Sequence, residues 1–282
     1  MVHLLPPAIF VGGLIAWGAF ALGGSFRAQQ IQKELSKQGV EVPAEFQTRL
    51  GDALLDLRQG RAEKAFKDLG ALDQENPRVS SLTYLAGLAA MQAGNDFAAA
   101  AKIDESIAKR ERISDSLALR GVLETQKKSD PNLHGFGDPR IRAEEYFRQA
   151  MNADAANPFP CVELATLLRY GNRRDEALKL MQAARARLNP VDSHSVVDAV
   201  IALMTLEAMP DDKLPTDINP DKDVASMYSA AYVAVRKHNY SVAADLLRKC
   251  RDQLPADLNY YLVQDLAFRE YARQPEIAEF FQ

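Results

Sequence analysis

Two cysteines, Cys161 and Cys250, are all that this 282-residue chain carries. So few cannot form a disulfide framework, and no CxxC pair exists to hold zinc or run redox chemistry. Each lies inside a helical pattern and reads as a small buried apolar residue. The four histidines, His3, His134, His194 and His238, are too scattered to make a metal site. A basic excess is also missing. Lys and Arg total 34 against 38 Asp and Glu, a net charge of −4, so nothing suggests a nucleic-acid partner. No glycine-rich phosphate loop occurs, because Gly12-Gly13 and Gly23-Gly24 both fall in an uncharged N-terminal stretch. Ser193-His194-Ser195 reads as a helix start, with Asp192 or Ser193 as N-cap, rather than a nucleophile and its base. Asp217, Asn219, Asp221 and Asp223 alternate like the opening of a calcium loop. The sixth position is Lys222 where glycine is needed, and the twelfth is Tyr228 where a bidentate glutamate is needed. No catalytic, cofactor or metal site is therefore legible, and a non-enzymatic role is expected.

What is present begins at the N-terminus. Leu4 to Phe26 contains no charged residue, a length of 23 residues. About 20 apolar residues suffice to cross a bilayer as a helix. Residues 1–26 are expected to form one transmembrane anchor, followed by a polar connector over 27–44. A cleaved secretory signal is the alternative, since Ala19-Phe20-Ala21 resembles a cleavage site, but a basic n-region is lacking. Arg27, Lys33 and Lys37 follow the span and no Lys or Arg precedes it. That asymmetry points the rest of the chain to the cytoplasm, with an extracytoplasmic location as the alternative. Gly12, Ala16, Ala19 and Gly23 fall on one helix face, where small residues let another membrane helix approach.

Beyond the connector, a spacing of 34 residues recurs: Gly60 and Gly94, Ala65 and Ala99, Leu69 and Ile103, Gly87 and Gly121. Ala143 and Ala177, Phe147 and Met181, and Ala150 and Ala184 repeat it. A fixed period of this length marks stacked helical hairpins. Ala65, Leu69 and Leu72 sit at i, i+4 and i+7, one face of a helix. Pro77 closes that helix. The expected fold is all-α, a solenoid of five to six hairpins over 45–282 behind the anchor.

These residues resemble the tetratricopeptide-repeat family. Ala86-Gly87, Gly94, Ala99 and Ile103 fit its pattern in one repeat. Leu164-Ala165, Leu168, Ala177, Met181, Ala184 and Pro190 fit it in another, and Ala231, Tyr240, Ala243, Leu247 and Pro255 in a third. The family's first-helix tryptophan is absent throughout. The resemblance implies a right-handed superhelix whose concave groove, lined by the first helix of each hairpin, holds a protein partner. Transferred to this chain, the groove positions fall on Tyr84, Leu88, Met91 and Gln92, then Phe159, Val162, Thr166, Arg169 and Tyr170. In the last repeat they fall on Tyr228, Tyr232, Val235 and Arg236. Tyrosine and arginine are enriched at contact hot spots. The clamp with which some members hold a terminal carboxylate is not matched, since its positions carry Tyr84, Leu88, Ala118 and Val122.

Two segments break the period. About ten extra residues enter the turn over 127–140, placing Phe136 between two glycines as a further contact. Over 209–223, PDDKLPTDINPDKD replaces a helix with a connector. Together these features predict a membrane-anchored scaffold or adaptor that binds proteins by groove or loop within a membrane-associated assembly. A structural accessory subunit of a large membrane complex is the alternative.

Overall fold

A computed structural model describes residues 44–77, 79, 81–127, 138–188, 195–253 and 266–281. The described residues are all-helical, with twelve α-helices, two short 3-10 turns and no strand. They fall in two compact units, 44–153 and 154–281.

The first unit holds α1 (Ala44–Arg58), α2 (Ala62–Glu75), α3 (Leu82–Gln92), α4 (Asp96–Ala108), α5 (Ile113–Gln126) and α6 (Pro139–Ala153). Each packs against the next in sequence. The second holds α7 (Phe159–Tyr170), α8 (Arg174–Arg187), α9 (Ser195–Glu207), α10 (Val224–Arg236), α11 (Tyr240–Gln253) and the single turn α12 (Leu266–Arg269). There too neighbours in sequence pack together, and α12 lies on α9 and α10. Between α9 and α10 runs a 3-10 turn, Asp211–Lys213, and then an extended stretch that buries Leu214. Asp223 ends this stretch by capping α10, its Oδ1 accepting the Ser226 N–H at 2.7 Å.

One turn geometry recurs in four hairpins. Gly60, Gly94, Asn172 and His238 have φ of 75°, 71°, 59° and 58°. Each stands five residues before a buried alanine of the following helix: Ala65, Ala99, Ala177 or Ala243. The next N–H reaches back five residues to a carbonyl. Arg61 donates to Asp56 at 2.9 Å, Asn95 to Ala90 at 2.9 Å, Arg173 to Leu168 at 2.9 Å, and Asn239 to Ala234 at 2.8 Å. This left-handed residue with its long-reaching bond is a Schellman ending, which satisfies carbonyls that a helix end leaves open. Glycine fills the left-handed site at no steric cost. Asparagine and histidine are among the few other residues that tolerate it.

The second helix of each hairpin buries one stripe. Ala65, Leu69 and Leu72 are interior in α2, as are Ala99 and Ile103 in α4. Ala143, Phe147 and Ala150 are interior in α6, and Ala177, Met181 and Ala184 in α8. The first helix α3 differs. Every residue of α3 from Leu82 to Met91 is buried. The sequence YLAGLAAM is apolar around the whole helix, and such a helix is enclosed. A buried carboxylate stitches the hairpins of the first unit. Asp73 of α2 accepts from Thr83 Oγ1 of α3 and from Lys102 Nζ of α4, both at 2.8 Å.

Two glycines let helices touch backbone to side chain. A Cβ on Gly87 would lie 2.8 Å from Ile103 Cγ1, and one on Gly121 would lie 2.7 Å from the Phe147 ring. Gly70, in the interior of α2, has nothing within 4 Å of that position. Gly121→Ala should therefore destabilise by about 1–3 kcal/mol through overpacking. Gly70→Ala should stabilise by about 0.5–1 kcal/mol through backbone entropy alone. Urea unfolding of the two variants checks this, and shifts of the same sign would contradict the packing described.

Candidate functional site

The last turns of α7, α9 and α10 end in charge although each helix is otherwise mostly apolar. Their sequences are FPCVELATLLRY, SVVDAVIALMTLE and VASMYSAAYVAVR. In the second unit these ends surround a cleft of ≈ 520 Å³. Its lining is polar: Arg169, Tyr170, Asn172 and Arg174 from the α7–α8 hairpin, Glu207 from α9, Tyr232 and Arg236 from α10, and Glu270 after α12.

Glu207 sits between two guanidiniums. Its Oε2 accepts from Arg169 Nη2 at 3.0 Å, and its Oε1 lies 3.5 Å from Arg174 Nη2. The Arg169 side chain is almost wholly buried, whereas Arg174 is 57% exposed. On the other wall, Arg236 Nε donates to Asp211 Oδ1 at 2.7 Å, and Nη2 donates to the Met209 carbonyl at 3.0 Å. Its Nη1 reaches the Tyr232 hydroxyl at 3.2 Å, with the guanidinium 5.6 Å from the Tyr232 ring centre. Arg236 thus closes α9 from outside, supplying donors where that helix runs out of its own. Burial raises the Tyr232 phenol above its ordinary pKa, so it stays protonated. Phe268 meets Tyr232 edge to face at 5.7 Å. Behind Tyr170, Arg269 gives Nη1 to the Tyr170 hydroxyl, while its Nη2 is buried without an acceptor.

Such an array can hold a ligand. It offers fork-shaped cationic donors and phenolic hydroxyls. The carboxylate best enclosed in it, Glu207, is already engaged by two guanidiniums.

Of the residues that the sequence marks for partner contact, Arg169, Tyr170, Tyr232 and Arg236 converge on this cleft. Phe159 and Tyr228 are buried in the second unit and do not line it. In the first unit Tyr84, Leu88 and Met91 are buried, and Gln92 is partly buried. Tyr84, Leu88, Met91, Phe159 and Tyr228 are therefore interior side chains rather than open surface, with α3 enclosed on every side. Phe136 lies outside the described residues, as do Gly12, Ala16, Ala19, Gly23 and the whole uncharged segment. Among the described residues no helix is long and apolar enough to cross a membrane. Ser193 and His194 are likewise outside the described residues.

Sequence reasoning missed Asn172, Arg174, Glu207 and Glu270. The available signal was a charge in the last turn of an apolar helix, which Glu207 shares with Arg169 and Arg236. No protein-family model matches this sequence, and no curated protein matches it.

Proposed function

We propose that this chain is a membrane-anchored scaffold of tetratricopeptide-like hairpins that holds a protein partner beside the membrane. The observation that carries this reading is the repeated turn. Four hairpins share one left-handed residue, one long-reaching hydrogen bond and one buried alanine at a fixed offset. Repetition of one supersecondary unit, each packed on its neighbour, is how solenoids are built, and solenoids work by presenting extended surface. The 34-residue period supports five to six such repeats over 45–282. The cleft of Arg169, Tyr170, Tyr232 and Arg236 is the surface best suited to contact, being rich in tyrosine and arginine. The anchor is the uncharged stretch from Leu4 to Phe26, and it raises the local concentration of the scaffold near membrane partners.

A specific observation favours a second reading, an accessory subunit using its outer surface. In the first unit Phe97 is 88% exposed at the start of α4, and Leu55 and Ile141 are also open to solvent. Crosslinking in native membranes separates the two. One stoichiometric complex seated on Phe97 supports the subunit. Substoichiometric proteins seated on the cleft support the scaffold.

The anchor has its own test. Full-length protein should stay with membranes through salt and alkaline washes and come off only in detergent. A soluble full-length protein, or a mature N-terminus near Leu22, would remove the anchor from the proposal.

A further inference from the structure

We infer that the cleft between α7, α9 and α10 receives a carboxylate from the partner, with Arg174 as the entry contact and Glu207 as its internal stand-in. The inference rests on the scaffold reading only in taking the ligand to be a protein segment.

Charge comes first. With Arg269 behind Tyr170, four guanidiniums stand at the cleft against the carboxylates of Glu207, Glu270 and Asp211, a local excess of positive charge in a chain whose net charge is −4. A cationic pocket on an acidic surface selects a short acidic group, because a long polyanion would meet the surrounding negative field. The donors are unequally used. Arg236 is committed to Asp211, the Met209 carbonyl and Tyr232. Arg169 is held by Glu207 at 3.0 Å. Arg174 makes one contact, at 3.5 Å. A charge-assisted hydrogen bond closes to about 2.7–2.9 Å, so this one leaves most of the donor capacity of Arg174 unspent at the cleft mouth. Beside the cleft, Arg269 Nη2 is a second guanidinium nitrogen that lacks an acceptor.

Glu207 then acquires a role. Its Oε1, 3.5 Å from Arg174 Nη2, holds the place on Arg174 that an incoming carboxylate would take. An arriving acid pairs first with exposed Arg174 and displaces the long Glu207 contact, leaving the tight Arg169–Glu207 pair in place. Asn172 at the hairpin turn and the Tyr170 hydroxyl lie on the same rim and can bond the peptide flanking the acid. The polar lining also speaks against an apolar small molecule, whose pockets are lined mainly by hydrophobic side chains.

The test uses full-length protein in detergent and three fluorescein-labelled hexapeptides read by anisotropy. The first is Gly-Tyr-Glu-Glu-Tyr-Gly with an amidated end. The second has glutamine for glutamate. The third is the glutamine peptide with a free terminal carboxylate. The acidic peptide should bind about tenfold tighter than the second, and Arg174→Gln should cost that same factor of about ten. Tight binding of the third as well assigns the site to any carboxylate, whereas binding of the first alone assigns it to side chains. Glu207→Gln should tighten binding, and Arg174→Gln keeps the test decisive if that variant fails to fold. Equal binding of the first and second peptides, no binding by any of the three, or an Arg174→Gln variant that binds as wild type does would overturn the inference. If membrane crosslinking still captures a partner in that case, the scaffold reading stands and only the cleft's ligand is wrong.

Discussion

Glu124→Gln should destabilise the protein by about 3 kcal/mol, the low end of the cost of stripping one partner from a buried ion pair. Glu124 lies in the last turns of α5 with its side chain 1% exposed. Three cations converge on it. Oε1 accepts from Arg120 Nη1 and Lys127 Nζ, each at 2.6 Å, and Oε2 accepts from Arg142 Nε of α6 at 2.9 Å. Burial alone would raise this carboxyl. The hydrogen bonds from Lys127 and Arg142, with the charges of Lys127 and Arg120, outweigh burial and hold it below its ordinary range. Glutamine keeps the shape but leaves three positive charges facing one another. The low end of the range applies because Lys127 is half exposed and can be resolvated. Arg120 has Asp104 at 2.9 Å as a second partner. The pH dependence follows from the lowered pKa. A depressed carboxyl stabilises the fold above its unfolded value of 4.5, and that stabilisation fades as pH falls through the folded value. The gap between wild type and Glu124→Gln in urea unfolding should therefore be full at pH 7 and narrow below pH 4.5. A variant as stable as wild type at pH 7 would show that the three cations need no common counter-charge.

This clamp was not legible in the sequence, and the reason is geometric. Arg120, Glu124 and Lys127 are near neighbours at the end of one helix, but Arg142 joins them only because α5 and α6 pack together. The same holds for Arg169 and Glu207, 38 residues apart and paired by the meeting of two helix ends. Local periodicity fared better. Ala65, Leu69 and Leu72 announce their buried stripe by spacing alone, whereas Gly87 and Gly121 recur at the 34-residue period and only the packing shows that neither has room for a Cβ. Gly60 and Gly94 mark turns openly, while Asn172 and His238 take the same left-handed conformation under ordinary residue names. The burial of Tyr84, Leu88 and Met91 has a readable cause, because α3 is apolar on every side, which signals enclosure. Where helices end in charge, at Arg169, Glu207 and Arg236, the second unit opens its polar cleft.

Glu163→Gln should do the opposite of Glu124→Gln and stabilise the protein as pH rises. Glu163 lies mid-helix in α7 and is 4% exposed. Burial pushes its carboxyl from 4.5 up to about 8, with no cation among the described residues to offset it. The folded protein therefore holds a proton at pH 7 that the unfolded chain has released. For a carboxyl raised in the folded state, the unfolded chain binds fewer protons between the two values, so stability falls as pH climbs from 4.5 towards 8. At pH 7 the loss amounts to about 3 kcal/mol, from roughly 1.4 kcal/mol per pH unit. Glutamine matches the neutral acid in shape and cannot ionise, so it escapes the loss. Any fixed cost of its amide is the same at every pH and drops out of the slope. Urea midpoints measured from pH 5 to pH 8 should diverge steadily, with Glu163→Gln gaining on wild type throughout. Parallel curves would mean that Glu163 is ionised in the folded protein and that a counter-charge reaches it inside α7's packing. The position also orders the charges of this helix by their surroundings. Arg169, six residues on at the cleft, is buried with a carboxylate partner and serves as a charge. Glu163, buried without one, serves the fold as a neutral acid.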